Sequence, residues 1–233
     1  MSAWEVHGHG ALEELAPRLW RVEGGLPTLP IPRNMIVYRR EDGGLVIWSG
    51  VCLDEAGMRE LDALGPVRQI VVPNRFHRMQ ARAYLERYPE ARVLCPAACR
   101  DHVEKEVTVH GTVEDELPGS GVTLHLDAGI KPFEPVYEFA LDDGVALVFC
   151  DAIFNVTRRP GLKGWFVHHV LKASGRFATS RIGRWFILAS RPRFREFLLE
   201  QSARPDLRVV GVAHGEPITA DCGTRLAQAA AYV

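Results

Sequence analysis

The stretch Gln69-Ile-Val-Val-Pro-Asn-Arg-Phe-His77-Arg78 joins a run of apolar residues to a polar cluster, and a helical pattern follows it. A buried strand cannot hold Asn, Arg and His side chains without polar partners. We therefore expect these groups to emerge at the carboxyl end of the strand, where open α/β sheets place their ligands. The stretch predicts an α/β protein with a functional site at this edge of a sheet.

Two further apolar runs end in potential ligands. Residues 145–150 are followed by Asp151, and residues 207–213 are followed by His214. Strand and helix patterns alternate around the opening stretch, which is typical of parallel crossovers, whereas the segment from 122 to 150 has the pattern of consecutive strands. Asp142-Asp-Gly144 is a hairpin turn between the last two of these strands.

The length allows one large domain or two small ones, and because no internal repeat, low-complexity tract or linker divides the chain, we expect a single domain that spans residues 1–233. The chain is 47% hydrophobic and contains 28 basic and 29 acidic residues, so its total charge favours neither nucleic acid nor a membrane surface as a partner. The five scattered cysteines are typical of a reducing compartment. We recognise no export signal and no transmembrane segment, and therefore expect a cytoplasmic protein without a membrane partner.

Basic residues are concentrated between residues 152 and 195, where ten Lys or Arg and no Asp or Glu occur among several aromatic residues. We interpret residues 155–195, approximately, as a basic aromatic insertion after the strand that ends at Asp151. The insertion predicts a lid that recognises an anion, with Arg158 and Lys163 as candidate binding residues. A surface helical pair with solvated charges is the alternative. Nucleic-acid binding through residues 158–195 is another, and it predicts affinity that falls steeply with salt.

The order of elements and their terminal residues resemble the metallo-β-lactamase superfamily over most of the chain. Residues 34–38 with residues 44–50 look like its opening hairpin, and residues 70–78 match the strand that leads into its His-x-His-x-Asp-His loop. Phe149-Cys-Asp-Ala-Ile-Phe154 looks like its Gly-Asp strand end, and Ala213-His-Gly215 looks like its final histidine. The resemblance implies a four-layer αββα sandwich.

The chain departs from this family in its metal-binding loop. Asn74, Phe76, Arg78 and Met79 stand where the family has His, His, Asp and His, and His77 falls between the expected ligands. The next expected histidine belongs in the loop 127–135, which contains none. The resemblance therefore implies a divergent branch with a degenerate metal-binding loop.

His77, Asp151 and His214 are sufficient to hold one divalent metal, with zinc the first expectation, if the loop turns His77 inward. A two-metal site needs several more donors, which Phe76 and Met79 do not provide. Arg78 and Asn74 are candidate residues for holding an anionic substrate. In the alternative interpretation, Arg78 forms a salt bridge with Asp151.

These residues predict a hydrolase-like protein that acts on a small anionic substrate and whose metal site is mononuclear or lost. The predicted catalytic residues are His77, Asp151 and His214, and the predicted substrate-binding residues are Arg78, Asn74, Lys163 and Arg158. A pseudoenzyme or binding module that uses the same pocket, with His214 as a core histidine, is the alternative. Cys150 acting as a nucleophile with His214 as its base is a further interpretation.

Overall fold

The strands form two β-sheets. A computed structural model describes residues 4–26, 31–158, 160–181 and 183–233, except for the side chain of Lys163. Within this part of the chain the first sheet has its strands in chain order: β1 (Glu13–Ala16), β2 (Leu19–Gly24), β3 (Arg33–Arg39), β4 (Leu45–Trp48), β5 (Val67–Val71), β6 (Arg92–Cys95) and β7 (Gly111–Thr112). β3 and β4 are antiparallel, and β4, β5 and β6 are parallel. The predicted opening hairpin and the predicted crossovers are confirmed.

The second sheet has the order β11-β10-β9-β8. Its strands are β8 (Val122–His125), β9 (Val136–Ala140), β10 (Val145–Phe149) and β11 (Leu207–Val212). β9 and β10 form the predicted antiparallel hairpin, and β10 pairs parallel with β11. The carboxyl ends of β10 and β11 therefore lie side by side, which brings the segments that follow them together.

The helices of the described residues are α1 (Glu55–Leu64), α2 (Ala81–Arg87), α3 (Arg100–Val103), α4 (Val113–Glu116), α5 (Gly161–Trp165), α6 (Arg191–Ser202) and α7 (Cys222–Ala230). The Asp54 side chain caps the start of α1, since it accepts a hydrogen bond from the backbone N–H of Gly57 at 2.8 Å. Within the insertion, a wide π-type turn, Phe166–Val170, continues α5. None of these helices has the length and hydrophobicity needed to cross a membrane.

The two faces of each sheet belong to different cores, which is the arrangement expected of the four-layer αββα sandwich. In β4, Leu45 and Ile47 pack with α1, whereas Trp48 faces the second sheet. In β10, Leu147 packs with the helices of the second outer layer, and Val148 faces the first sheet. This alternation along buried strands explains why their sequences are apolar on both faces.

The basic aromatic insertion leaves the second sheet between β10 and β11. Isolated bridges pair Phe154 with Ala178 and Val156 with Ser174. The insertion then returns to the strand end, since a Cβ atom on Gly183 would lie 3.2 Å from the backbone oxygen of Asp151. It therefore lies beside the carboxyl end of β10.

Candidate functional site

Asp151, directly after β10, is the centre of a buried polar cluster. Its Oδ1 atom lies 3.0 Å from Nε2 of His214 and 3.4 Å from Nε2 of His77. Its Oδ2 atom accepts a hydrogen bond from Nδ2 of Asn74 at 2.7 Å. The structure therefore brings together the three residues that the sequence nominates as metal ligands, and adds Asn74 as a direct partner of the carboxylate.

A tight turn after β5 directs His77 inward. The Asn74 side-chain oxygen accepts hydrogen bonds from the backbone N–H groups of Phe76, at 2.8 Å, and His77, at 3.1 Å. This is an Asx-type turn, in which a short polar side chain replaces a backbone acceptor. As a result His77 is buried, while Phe76 is 56% exposed. The sequence interpretation made His77 a candidate ligand on the condition that the loop turns its side chain inward. The structure shows this inward turn.

His214 is fixed from several sides after β11. Asn34 donates hydrogen bonds to the carbonyl oxygens of Val212, at 2.8 Å, and Gly215, at 2.6 Å, and so clamps the segment that carries the histidine. Gly215 has φ +97°, and a Cβ atom there would lie 2.1 Å from the backbone oxygen of Asn155, so only glycine fits. The ring of Phe154 stacks on the imidazole with a centroid distance of 4.8 Å.

The hydrogen bonds of His214 determine which ring nitrogen faces Asp151 without a proton. Nδ1 lies 2.8 Å from the carbonyl oxygen of Pro32 and must donate, because a carbonyl oxygen only accepts. In a neutral ring Nε2 then carries a lone pair and faces a carboxylate oxygen at 3.0 Å. Two acceptors at this distance need a positive centre, which is either a proton on Nε2 or a bound cation.

His77 has a hydroxyl partner on its other ring nitrogen. Ser49 Oγ lies 2.9 Å from Nδ1, and this hydroxyl is able to donate or accept. Ser49 has φ +55°, a left-handed conformation that is unusual for a serine. The hydroxyl orients the His77 ring so that Nε2 faces Asp151.

Glu134 is a member of the cluster that the sequence interpretation missed. Its carboxylate is 1% exposed and accepts hydrogen bonds from Nδ2 of Asn74, at 2.9 Å, and from the backbone N–H of Asp151, at 2.7 Å. Glu134 lies in the loop 127–135, where the family resemblance implies a histidine that this chain lacks. The available signal was a charged residue between Phe133 and Pro135, directly before β9.

The two buried carboxyl groups have opposite pKa shifts. Burial would raise the pKa of Asp151, but attraction to His77 and hydrogen bonds from His214 and His77 outweigh it and hold this pKa well below its usual range. Burial and repulsion from Asp151 raise the pKa of Glu134 well above its usual range. Burial also lowers the pKa of His77, against the attraction of Asp151. The cluster therefore keeps Asp151 ionised and favours a proton on Glu134.

Arg78 does not join the cluster. It donates a hydrogen bond to the carbonyl oxygen of His102 at 2.5 Å and lies 3.9 Å from the Glu106 carboxylate. The alternative of a salt bridge between Arg78 and Asp151 is wrong, because the turn that directs His77 inward sends the next side chain toward α3. The exposed Arg158 lines a separate cleft, and the side chain of Lys163 lies outside the described part of the chain.

Cys150 adds a sulfur atom next to the cluster. Donor atoms of His77, Cys150 and Asp151 all lie within 4.8 Å of one another. Burial, together with repulsion from Asp151 and Glu134, raises the pKa of the Cys150 thiol well above its usual range. A thiol that resists ionisation is a poor nucleophile, which argues against the interpretation of Cys150 as a nucleophile with His214 as its base.

The two imidazoles lie at distances from Asp151 Oδ1 that resemble the spacing of ligands around one metal ion. Two ligands held by one tetrahedral zinc at about 2.1 Å lie roughly 3.4 Å apart, close to the separations of 3.0 and 3.4 Å between Asp151 Oδ1 and the two imidazoles. The Pro32 carbonyl oxygen and the Ser49 hydroxyl hydrogen-bond to Nδ1 of His214 and Nδ1 of His77. Metal-binding histidines commonly have such a partner on the ring nitrogen that does not bind the metal. Phe76 and Met79, at two of the positions where the resemblance implies further ligands, have exposed side chains that cannot bind a second ion.

Solvent has little access to these groups. The side chain of Asp151 is 14% exposed, and those of His77 and His214 are 5% and 9% exposed. Desolvation strengthens the attraction between the carboxylate and any cation or proton beside it.

Comparisons with known proteins identify the fold through solved structures rather than through sequence. No protein-family model matches the sequence, and no curated protein matches it either. Solved structures do match: the DIM-1 metallo-β-lactamase has 11% sequence identity and a TM-score of 0.62, and the match covers 96% of this chain and 99% of that one. The metallo-β-lactamase from Hirschia baltica has 15% identity and a TM-score of 0.59, with 95% and 98% of the two chains covered.

The metallo-β-lactamase FIM-1 from Pseudomonas aeruginosa, solved in its mono-zinc form, has 10% identity and a TM-score of 0.62, with 95% of this chain and 94% of that chain covered. The structural matches establish the fold of this chain. Sequence identities this low carry no conclusion about its activity. The strand order, the packing of both faces of each sheet and these matches agree with the resemblance seen in the sequence. The chain has the metallo-β-lactamase fold.

Proposed function

We propose that this protein is a hydrolase-like enzyme with a mononuclear metal site held by His77, Asp151 and His214, and that it acts on a small anionic substrate. The observation that carries the proposal is the contact between His214 and Asp151. Because Nδ1 of His214 donates to Pro32, the Nε2 atom of a neutral ring faces Asp151 Oδ1 as an acceptor at 3.0 Å. A divalent cation satisfies both acceptors, and the ionised Asp151 provides the charge that binds it.

A bound zinc ion would act as a Lewis acid and would lower the pKa of a water molecule bound to it toward neutrality. The chain's own residues hold the ligands in place. Asn74 divides its two N–H groups between Asp151 and Glu134, and so fixes the orientation of the Asp151 carboxylate. Ser49 orients His77. A proton on Glu134 prevents two adjacent buried negative charges.

The proposal of an anionic substrate rests on the charge of the insertion beside the site. Burial, together with repulsion from Arg191, Arg176 and Arg181 in the same insertion, lowers the pKa of Arg184. The insertion contacts the backbone of Asp151 through Gly183. Positive charge at this position favours substrates that carry a carboxylate or phosphate. We also propose that the chain forms one domain and acts in the cytoplasm.

A metal-free binding protein is the second candidate function. In it, a proton on Nε2 of His214 replaces the cation, and the imidazolium pairs with Asp151 at the observed 3.0 Å. The low pKa of Asp151, which follows from burial being outweighed by the two histidines, is compatible with this ion pair. The two candidates differ in whether a metal is bound at the cluster.

Metal analysis separates them. Protein purified without a tag is analysed by mass spectrometry for zinc, iron and manganese, together with the variants His214→Ala and Asp151→Asn and the control His102→Ala, whose side chain is exposed and outside the cluster. We expect one metal ion per chain in the wild type and in the control, and less than a tenth of that in the two cluster variants. Metal at background level in the wild type, even after incubation with zinc, contradicts the proposal and favours the binding protein.

A further inference from the structure

A second, cationic cleft lies outside the Asp151 cluster. Its volume is about 360 Å³. Its lining comes from the start of the insertion, a turn within it and the first part of α7: Asn155, Val156, Thr157, Arg158, Gly175, Arg176 and Arg225. The backbone N–H of Asn155 donates to the carbonyl oxygen of His214 at 2.9 Å. A single backbone hydrogen bond therefore connects the lining of the cleft to His214 of the candidate site.

The three arginines of the cleft have no carboxylate partner within ion-pair distance among the described residues. Other exposed arginines do have one: Arg193 pairs with Glu200 at 2.9 Å, and Arg208 pairs with Asp143 at 3.1 Å. Arg158 and Arg176 belong to the stretch 152–195, which contains no acidic residue. Glu216, close by in the chain, places its carboxylate 2.6 Å from Arg21. The positive charge of the cleft is thus uncompensated by the protein.

Local structure holds two of the guanidinium groups at the cleft. Gly175 has φ +85°, and a Cβ atom there would lie 2.9 Å from Nε of Arg158. The missing side chain at Gly175 therefore leaves the space in which Arg158 lies across the turn. Arg176 packs over the ring of Tyr232, with 4.9 Å between the guanidinium carbon and the ring centroid. These contacts reduce the conformational freedom that a ligand would otherwise have to remove.

We infer that this cleft binds a phosphate group. Three guanidinium groups offer up to about fifteen N–H donors, which suits a tetrahedral dianion with several oxygens better than a single carboxylate. The inference rests on the proposed function in one respect: it identifies the class of the small anionic substrate as phosphorylated. The phosphate belongs either to a small molecule or to a polynucleotide backbone, and both sources present the same chemistry to the arginines.

Calorimetric titration of the full chain with inorganic pyrophosphate at low ionic strength tests the inference. We expect one binding site, with affinity reduced about fivefold by Arg176→Ala or Arg225→Ala and about thirtyfold by the double variant. Gly175→Ala should weaken binding by displacing Arg158. The controls Arg208→Ala and Arg193→Ala remove arginines that have carboxylate partners, and they should change the affinity less than twofold. Absent binding, or equal losses in the controls, overturns the inference.

The same titration in the Asp151→Asn background separates this inference from the proposed function. Pyrophosphate binding that persists there and depends on Arg176 and Arg225 supports the cleft, whether or not the protein holds a metal. Binding that disappears with Asp151→Asn and survives Arg176→Ala places the anion at the Asp151 cluster and overturns the cleft, while leaving the hydrolase proposal intact. The phosphate inference therefore fails or succeeds independently of the metal analysis.

A second titration, with a single-stranded oligonucleotide of 20 nucleotides, identifies the source of the phosphate. Tighter binding than pyrophosphate, through the same arginines and with a steep loss of affinity as salt rises, supports a polynucleotide. Binding of pyrophosphate through these arginines without binding of the oligonucleotide supports a phosphorylated small molecule. Oligonucleotide binding that is unaffected by the cleft variants shows that the basic surface binds nucleic acid elsewhere and, without pyrophosphate binding, contradicts the cleft.

Discussion

Nε2 of His214 lies 3.0 Å from Oδ1 of Asp151, although the opposite nitrogen of the same ring must donate its proton to a backbone carbonyl. Both facing atoms are therefore acceptors unless a proton or a cation lies between them. This relationship links the fold to a function, because it joins the carboxyl ends of β10 and β11 through a contact that is stable only with added positive charge.

Ser49 provides a test of how the His77 ring is held. Ser49→Ala removes the hydroxyl and keeps the left-handed backbone, whereas Ser49→Gly removes the hydroxyl and relieves the backbone strain at φ +55°. We expect both variants to bind zinc about tenfold more weakly, and the glycine variant to be more stable than the alanine variant by about 1 kcal/mol. Zinc competition with a chelator and urea unfolding measure the two effects. Unchanged zinc affinity in both variants shows that the hydroxyl does not orient His77.

Asn74→Asp tests the role of the Asn74 amide, which donates one hydrogen bond to Asp151 and one to Glu134. An aspartate still accepts the two backbone N–H groups of the turn, but it replaces both side-chain donors with a carboxylate beside Asp151 and Glu134. We expect the metal-free variant to lose about 2–3 kcal/mol of unfolding free energy, and zinc to restore part of it because a cation offsets the added charge. Urea unfolding with and without zinc measures this. The control Gln228→Glu, at an exposed position on α7, should show neither effect.

Glu134→Ala tests the residue that the sequence interpretation missed. The substitution leaves the Asn74 amide and the Asp151 backbone N–H without their acceptors in a buried position. We expect a loss of about 2–4 kcal/mol of unfolding free energy at pH 7 and a smaller loss for Glu134→Gln, which keeps one acceptor and a neutral group. A loss below about 0.5 kcal/mol for Glu134→Ala indicates that the loop rearranges without the carboxylate.

Glu138 provides a test by pH at a distance from the cluster. A hydrogen bond from His125, together with the Arg204 guanidinium and against the opposing effect of burial, lowers the pKa of Glu138 to about 2. A carboxyl group with a lowered folded-state pKa stabilises the protein above its unfolded value and loses that contribution as pH falls. We expect it to supply about 1–2 kcal/mol at pH 7, after allowance for solvent screening, and to lose it between about pH 4.5 and 2.

Urea unfolding across this range compares the wild type with Glu138→Gln. The variant should be less stable at pH 7 and should show a flatter decline of stability below pH 4.5. Parallel curves for the two proteins contradict the assignment of the low pKa to Glu138.

The strand ends of the candidate site were predictable because the signal is local. An apolar run that stops at Asp151 or His214 reveals both the buried strand and the polar side chain that follows it, and the same rule nominated His77. The position of Glu134 depends on the packing of a loop against another strand end, which no local pattern records. The direction of Arg78 depends on the turn formed by Asn74, and a turn of one residue more or less would exchange which neighbouring side chain points inward.

The most direct measurement of the central claim is diffraction from crystals grown with one equivalent of zinc, with data collected on both sides of the zinc absorption edge. We expect one anomalous peak per chain, within bonding distance of His77 Nε2, Asp151 Oδ1 and His214 Nε2, and its loss in Asp151→Asn crystals. Crystals without a peak at this position, in which His214 and Asp151 remain in direct contact at 3.0 Å, would contradict the metal site and leave the protonated histidine as the positive centre.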